Sequence, residues 1–260
     1  EVIAFGHNPA TLQKALDKGA ADTVTTSMEE AVKDADIVVS AVPVEAMESV
    51  FTEMAPFLKS DAVVTDVGST RQTVIAAARK GLGDKFHQYA PAHPIAGGEM
   101  PGVDYASADL FDEKVVISTP DEGMDPKVVT FIEEAWRKAG ARVQAMSPLQ
   151  HDLTFASVSH LPHVLAYALV DMIAREENAQ EKLKMAGAGF RDFTRIASSS
   201  PVMWRDICLS NREALSHELK RYRTSLDTLQ KYIDESDGKA LESVFENAVK
   251  NRRGLVFPGK

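Results

Sequence analysis

Through residue 145 the sequence alternates short, β-branched apolar runs with amphipathic stretches of helical period, and this constrains the fold more than anything else in it. Strand-like runs fall at 1–6, 36–43, 62–66, 87–90, 114–118 and 142–145. Helical patterns fill the intervals at 8–19, 28–32, 45–58, 72–80 and 125–139. Such alternation builds parallel βαβ units, so the expected fold class is α/β with a Rossmann-like doubly wound parallel sheet. Ligands on these sheets lie beyond the carboxyl ends of the strands. The unusual residues gather at those positions: Val42-Pro43, Gly68-Ser69-Thr70 and Ala92-His93-Pro94.

A dinucleotide-binding sheet ordinarily opens on a strand and a Gly-x-Gly-x-x-Gly turn whose N–H groups meet the pyrophosphate. Nothing of that kind occurs here; Gly81-Leu-Gly83 follows a helix and lacks the third glycine. Glu1 reads as the start of a second strand, so the first strand and its phosphate loop are expected to be missing. The end of that second strand would supply an acid for the ribose hydroxyls of NAD. Gly6-His7-Asn8 supplies none, and His7 suits a 2′-phosphate. NADP is therefore expected to be accepted at least as well as NAD, with Gly6, His7, Val42, Pro43 and Gly68 against the cofactor.

From Pro148 the pattern is helical throughout. The expected division is a nucleotide-binding domain over 1–148 and a helical substrate-binding and dimerisation domain over 149–260. Helices are expected at 150–176, 201–233 and 238–252. The first carries Leu153, Phe155, Val158, Leu161, Leu165, Leu169 and Met172, enough apolar surface to be buried in a bundle or against a second copy. A homodimer follows as the expectation. Pro162 is expected to kink this helix.

Three clusters carry the chemistry. His93, at the end of a strand, is placed to act as a general base, and Ser69 on the preceding crossover is placed to bind the same hydroxyl and to cap the next helix. His160 and His163 share a helix face; His160 reads equally well as a buried structural residue, whereas His163 reads as functional. The pair lacks a third ligand, so no metal is assigned. The stretch from Gly187 to Asp206 holds three arginines, two aspartates and Trp204, with Ser200-Pro201 as a helix start. Arg195 just before that start is a fork for a carboxylate, the competing reading being a salt bridge to its own aspartates. His87, His151 and His217 read as surface or packing residues.

The net charge of −9 argues against a nucleic-acid surface, and a single cysteine, Cys208, suits a reducing cytoplasm. No apolar run is expected to reach the ~20 residues that span a bilayer. The partner implied is a small molecule.

Taken together, Asp66-Val-Gly-Ser-Thr70, His93-Pro-Ile-Ala-Gly-Gly-Glu99, Ser159-His-Leu-Pro-His163, Gly189-Phe-Arg-Asp-Phe-Thr-Arg195 and Ser200-Pro-Val-Met-Trp-Arg-Asp206 closely resemble the prephenate/arogenate dehydrogenase family of tyrosine biosynthesis. The resemblance runs along almost the whole chain in the family's order. It implies a nucleotide-binding domain followed by a helical dimerisation domain, and oxidative decarboxylation of a cyclohexadienyl substrate with hydride transfer to NAD(P). It further implies that His93 accepts the hydroxyl proton while Ser69 fixes that hydroxyl. Arg195 would clamp a substrate carboxylate, with His163 and Ser159 lining the pocket. Asp192 would brace Arg195 or its loop, Glu99 would gate or polarise the entrance, and Trp204 would support the wall. Two other readings stand beside it: a different β-hydroxyacid-type dehydrogenase, and a non-catalytic dimeric module that binds substrate or tyrosine.

Overall fold

The computed structural model describes residues 1–97 and 102–255. The first half folds as β1 (Ile3–Phe5), α1 (Pro9–Asp17), β2 (Thr23–Thr25), α2 (Met28–Val32), β3 (Ile37–Ser40) and α3 (Met47–Met54). It continues as β4 (Val63–Asp66), α4 (Gln72–Leu82), β5 (Tyr89–Ala90), β6 (Ala92–Pro94), β7 (Val115–Ser118), α5 (Pro126–Lys138) and β8 (Arg142–Ala145). Local chemistry sets several helix starts. The side chains of Asn8, Ser27 and Asp125 accept backbone N–H groups of the first turn, and Pro9 and Pro126 occupy the first helical position.

β1 pairs in parallel with β2, and β3, β4 and β5 form a second parallel set in that order. Among the described residues β1 and β3 are each paired along one edge only. The third set amends the all-parallel expectation: β6 runs antiparallel to β7, and β7 is parallel to β8. No crossover α-helix lies between β6 and β7 among the described residues, so the chain returns in the opposite sense. The strand expected at 87–90 shrinks to two residues because Gly83–Gln88 winds as a 3₁₀ helix. β2 escapes sequence reading because Thr-Val-Thr offers one apolar residue.

The main core lies between β3–β5 and the helices α3 and α4, where Met47, Phe51, Met54, Val64, Val74 and Tyr89 are buried. Gly81 lets α4 approach α3, since a Cβ there would sit 2.6 Å from Phe51 Cβ. Gly83, at φ +55°, then ends the helix. Gly81-Leu-Gly83 thus serves packing and a turn.

The second half comprises α6 (Pro148–Phe155), α7 (Leu161–Ala174), α8 (Ala179–Lys184), α9 (Ala188–Thr194), α10 (Pro201–Ser210), α11 (Arg212–Asp234) and α12 (Gly238–Arg253). The helix expected at 150–176 contains a π-helical turn at Ala156–His160, which ends two residues before Pro162. Proline cannot donate the hydrogen bond that would close the preceding α-turn, and the wider turn accommodates its absence. The helix expected to run unbroken over 201–233 is interrupted at Asn211, whose φ of −107° and ψ of 35° leave the helical region. No proline is needed for that break. The Asn211 amide donates to the Asp152 carbonyl at 2.8 Å and to His160 Nδ1 at 3.1 Å, and these bonds hold it out of the helix.

Pro148–Ala174 is, by length and composition alone, apolar enough to cross a membrane, with mean hydropathy 1.4. That corrects the expectation that no stretch reaches this length. Its His151, Asp152 and His160 are buried, whereas Leu149, Leu153, Val158 and Met172 are exposed.

Candidate active site

The site begins at the carboxyl end of β4. Asp66 and Arg71 are both fully buried and meet in a two-pronged ion pair, Oδ1 to Nη1 at 3.1 Å and Oδ2 to Nη2 at 2.7 Å. A buried carboxylate is tolerable only when its remaining lone pairs are also met. Tyr89 donates its hydroxyl to Asp66 at 2.6 Å, and the Gly68 N–H donates at 2.7 Å. Arg71 uses its other donors on the Thr70 carbonyl at 2.9 Å and the Ala92 carbonyl at 3.3 Å, next to His93. Burial opposes the charge on Arg71, but the facing Asp66 outweighs it and raises the guanidinium pKa. Gly68, expected beside the cofactor, has a packing reason to be glycine: a Cβ would fall 2.7 Å from Arg71 Nη2 and 2.9 Å from Asp66 Oδ2.

Ser69 is half-buried, and its hydroxyl makes no hydrogen bond among the described residues. The expectation that it caps α4 is corrected. The carboxylate of Asp152, from α6, accepts the Arg71 N–H at 2.8 Å and the Gln72 N–H at 3.0 Å and so caps that helix from the other half of the molecule. Thr70 Oγ1 lies 2.8 Å from Ser210 Oγ, and Thr73 donates to the Ser210 carbonyl at 2.9 Å. The Ser69 loop is pinned on both sides.

His93 lies within the three-residue strand β6 (Ala92–Pro94), opposite Ile117 of β7. Its Nδ1 is 2.8 Å from Nε2 of His151, whose Nδ1 is 2.9 Å from Asp152 Oδ1. Phe155 stacks on His151 at 4.4 Å between ring centroids and packs against His93 at 5.1 Å. The direction of donation follows from the carboxylate. Burial pushes the Asp152 pKa up, but hydrogen bonds from His151, Arg71 and Gln72 prevail and hold it below the usual range. Ionised Asp152 can only accept, so His151 donates from Nδ1. Neutral His151 then accepts at Nε2, and His93 must donate from Nδ1. What remains on neutral His93 is a bare Nε2, without a hydrogen-bond partner among the described residues. Burial, then the Arg71 charge, push the His93 pKa well below its usual value, although part of the residue remains exposed. Burial lowers the His151 pKa as well, against the pull of Asp152. His151, read from sequence as a surface or packing residue, belongs to this cluster with Asp152 and Arg71. The available signal was a His-Asp pair inside an otherwise apolar helix.

His160 takes the structural option. It is buried, accepts from Asn211 at Nδ1, and burial lowers its pKa to about 4. His163 stacks on Trp204 at 3.6 Å with 19° between ring planes, and its Nδ1 donates to the Ser159 carbonyl at 2.9 Å. Burial, and the nearby Arg195 charge, lower the His163 pKa against the effect of that carbonyl. The Ser159 hydroxyl itself makes no hydrogen bond among the described residues. Trp204 is buried, and its indole N–H has no hydrogen-bond partner among the described residues. Arg195 opens a 3₁₀ turn, Arg195–Ser198, and is exposed. Asp192, expected to brace Arg195 or its loop, is exposed, and its Oδ1 lies 3.4 Å from Arg191 Nε.

On the nucleotide side, Gly6 and the exposed His7 follow β1, with Phe5 and His7 in edge contact at 5.3 Å. Asn8 spends its side chain on capping α1. Val42 packs on the main core and Pro43 precedes a 3₁₀ turn. β3 and β4 are parallel, so Val42-Pro43 and Gly68-Ser69 leave the same end of their sheet. Both turns lie at the carboxyl ends of parallel strands, where ligands of such sheets sit. Glu99 lies outside the described residues.

The profile for "Prephenate dehydrogenase, nucleotide-binding domain" matches residues 1–145, and that for "Prephenate dehydrogenase, dimerization domain" matches residues 147–247. The cyclohexadienyl dehydrogenase of Zymomonas mobilis is 38% identical over 244 residues, spanning 93% of this chain and 82% of that enzyme. Prephenate dehydrogenase of Bacillus subtilis is 35% identical over 248 residues, spanning 95% of this chain and 67% of that enzyme. The crystal structure of A. aeolicus prephenate dehydrogenase, in complex with hydroxyphenyl propionate and NAD+, matches with TM-score 0.88 at 35% identity, over 96% of this chain and 88% of that one. Profile, sequence and fold agree over both halves, and the chain belongs to the prephenate dehydrogenase family.

Proposed function

We propose that the protein oxidatively decarboxylates prephenate, arogenate or both, with hydride transfer to a nicotinamide dinucleotide. The observation that carries this reading is the contact of His93 Nδ1 with His151 Nε2 at 2.8 Å, which leaves His93 Nε2 without a hydrogen-bond partner among the described residues. The bound dinucleotide supplies the hydride acceptor. The C–H bond beside the 4-hydroxyl gives up its electron pair as hydride, and His93 takes the hydroxyl proton. The electrons of the C–CO₂ bond then enter the ring, CO₂ departs, and the proton returns to the oxygen of the resulting phenol. Aromatisation provides the driving force, which leaves the protein to orient the groups and hold the anions.

Ser69, with its uncommitted hydroxyl, binds the reacting hydroxyl beside His93. Arg195 clamps a substrate carboxylate. His163, held flat on Trp204, lines the pocket with Ser159, and Glu99 acts at the entrance. Gly6, His7, Val42, Pro43 and Gly68 flank the dinucleotide. NADP is accepted at least as well as NAD, a reading supported by the absence of a carboxylate in Gly6-His7-Asn8 and by the exposed His7. The exposed apolar residues of α6, α7, α10 and the π-helical turn, including Leu153, Val158, Met172 and Val202, are covered in a homodimer.

The test is substrate-dependent reduction of NAD and NADP by the full-length protein, with prephenate and with arogenate. Turnover with release of 4-hydroxyphenylpyruvate or tyrosine supports the reading and ranks the substrates. Silence in all four combinations, from folded protein, contradicts it. A kcat/KM clearly better for NAD overturns the cofactor preference alone.

A further inference from the structure

We infer that His151 and Asp152 are positioning residues that set the tautomer of His93 across the junction of the two halves, presenting its Nε2 as the proton acceptor. The inference rests on the reading of His93 as that acceptor. Its basis is geometric. Asp152 Oδ1, His151 and His93 form one line of contacts at 2.9 and 2.8 Å, and His151 is fully buried, so no water competes for its ring nitrogens. Asp152 is in turn fixed by the Arg71 and Gln72 N–H groups at the start of α4, whose positive end favours the ionised form. Phe155 flanks both imidazoles and restricts their tilt.

The arrangement also has an electrostatic use. The Arg71 charge lies near His93 and opposes its protonation. Most of that charge is met by Asp66, which leaves Asp152 to compensate the positive charge that develops on His93 as it takes a proton. That compensation is absent while His93 is neutral and present when it is charged, so it lowers the barrier rather than strengthening ground-state binding. His93 stands on β6 and its orienting residues on α6. The base is therefore correctly presented only when the two halves are packed together.

Histidine-selective ¹⁵N NMR on the wild-type protein at neutral pH reads the tautomer without reference to activity. A protonated Nδ1 and a bare Nε2 on His93 are expected, and a protonated Nε2 overturns the inference. His151→Phe keeps the ring stack but removes the acceptor, whereas His151→Gln restores an acceptor for His93 Nδ1–H. His151→Phe is expected to lose at least about tenfold in kcat with KM unchanged and to show a changed His93 tautomer, and His151→Gln to recover most of the loss. An unchanged kcat and tautomer in folded His151→Phe overturns the inference, as does equal damage in both variants. If His93→Asn leaves kcat intact, the acceptor reading of His93 fails, and the wild-type NMR still decides whether His151 sets the tautomer.

Discussion

The Arg71 backbone N–H donates to the Asp152 carboxylate over 2.8 Å, joining the loop after β4 to the first helix of the helical half. The Arg71 side chain points the other way, into Asp66 and the start of β6. One residue thus ties the loop after β4 both to the strand that carries His93 and to the first helix of the other half. Burying Asp66 and Arg71 together makes the loop rigid, because moving either strands a charge away from water.

Arg195→Ala is expected to act mainly on KM. A clamp on a carboxylate present in both ground and transition states contributes largely uniform binding. Steady-state kinetics with prephenate should show a raised KM with kcat little changed. A fall in kcat at constant KM places Arg195 on the transition state instead.

The pH profile follows from burial. With its pKa well below the usual histidine value, first through burial and then through Arg71, His93 is already neutral at mildly acidic pH. The acid limb of kcat/KM should therefore fall below pH 6.5, the ordinary histidine value. A limb at or above that value contradicts the assigned environment.

His160 links the same physics to stability. Its pKa is about 4 in the folded chain against 6.5 for a free histidine. Above pH 6.5 both states are neutral and nothing is lost. As pH falls from 6.5 to about 4 the unfolded chain takes up a proton that the folded chain refuses, so stability declines. The total is on the order of 3 kcal/mol. Urea unfolding at several pH values should show the decline, and His160→Asn should flatten it.

Gly68→Ala is expected to destabilise the fold by about 1–3 kcal/mol through overpacking. The added methyl would meet Arg71 and Asp66, and neither can move without loosening the ion pair. A midpoint in thermal unfolding equal to wild type would show that the loop yields more readily than this packing implies.

Much of this was legible in the sequence because it rests on local rules. Asn8, Asp125 and Ser200 cap helices as their positions require, and alternating periodicity marks most strands and helices of the first half. His163 contacts both the Ser159 carbonyl and the Trp204 ring. What escaped depends on contacts between distant residues. Asn211 breaks a helix through bonds to Asp152 and His160, 59 and 51 residues away, and no local preference encodes that. His151 looked inert because a histidine on an apolar helix usually is; its meaning lies in His93, 58 residues earlier. The antiparallel β6 likewise follows from its connection to β7, which holds no crossover α-helix among the described residues, and not from its own three residues.

The most direct test of the account compares kcat of His93→Asn with wild type in prephenate-dependent nicotinamide reduction, with folding of the variant checked by near-UV circular dichroism. The account predicts a fall of roughly 10²-fold or more in kcat with KM little changed, the range for loss of a positioned general base. Wild-type kcat in the folded variant would remove His93 from the chemistry and contradict the central claim.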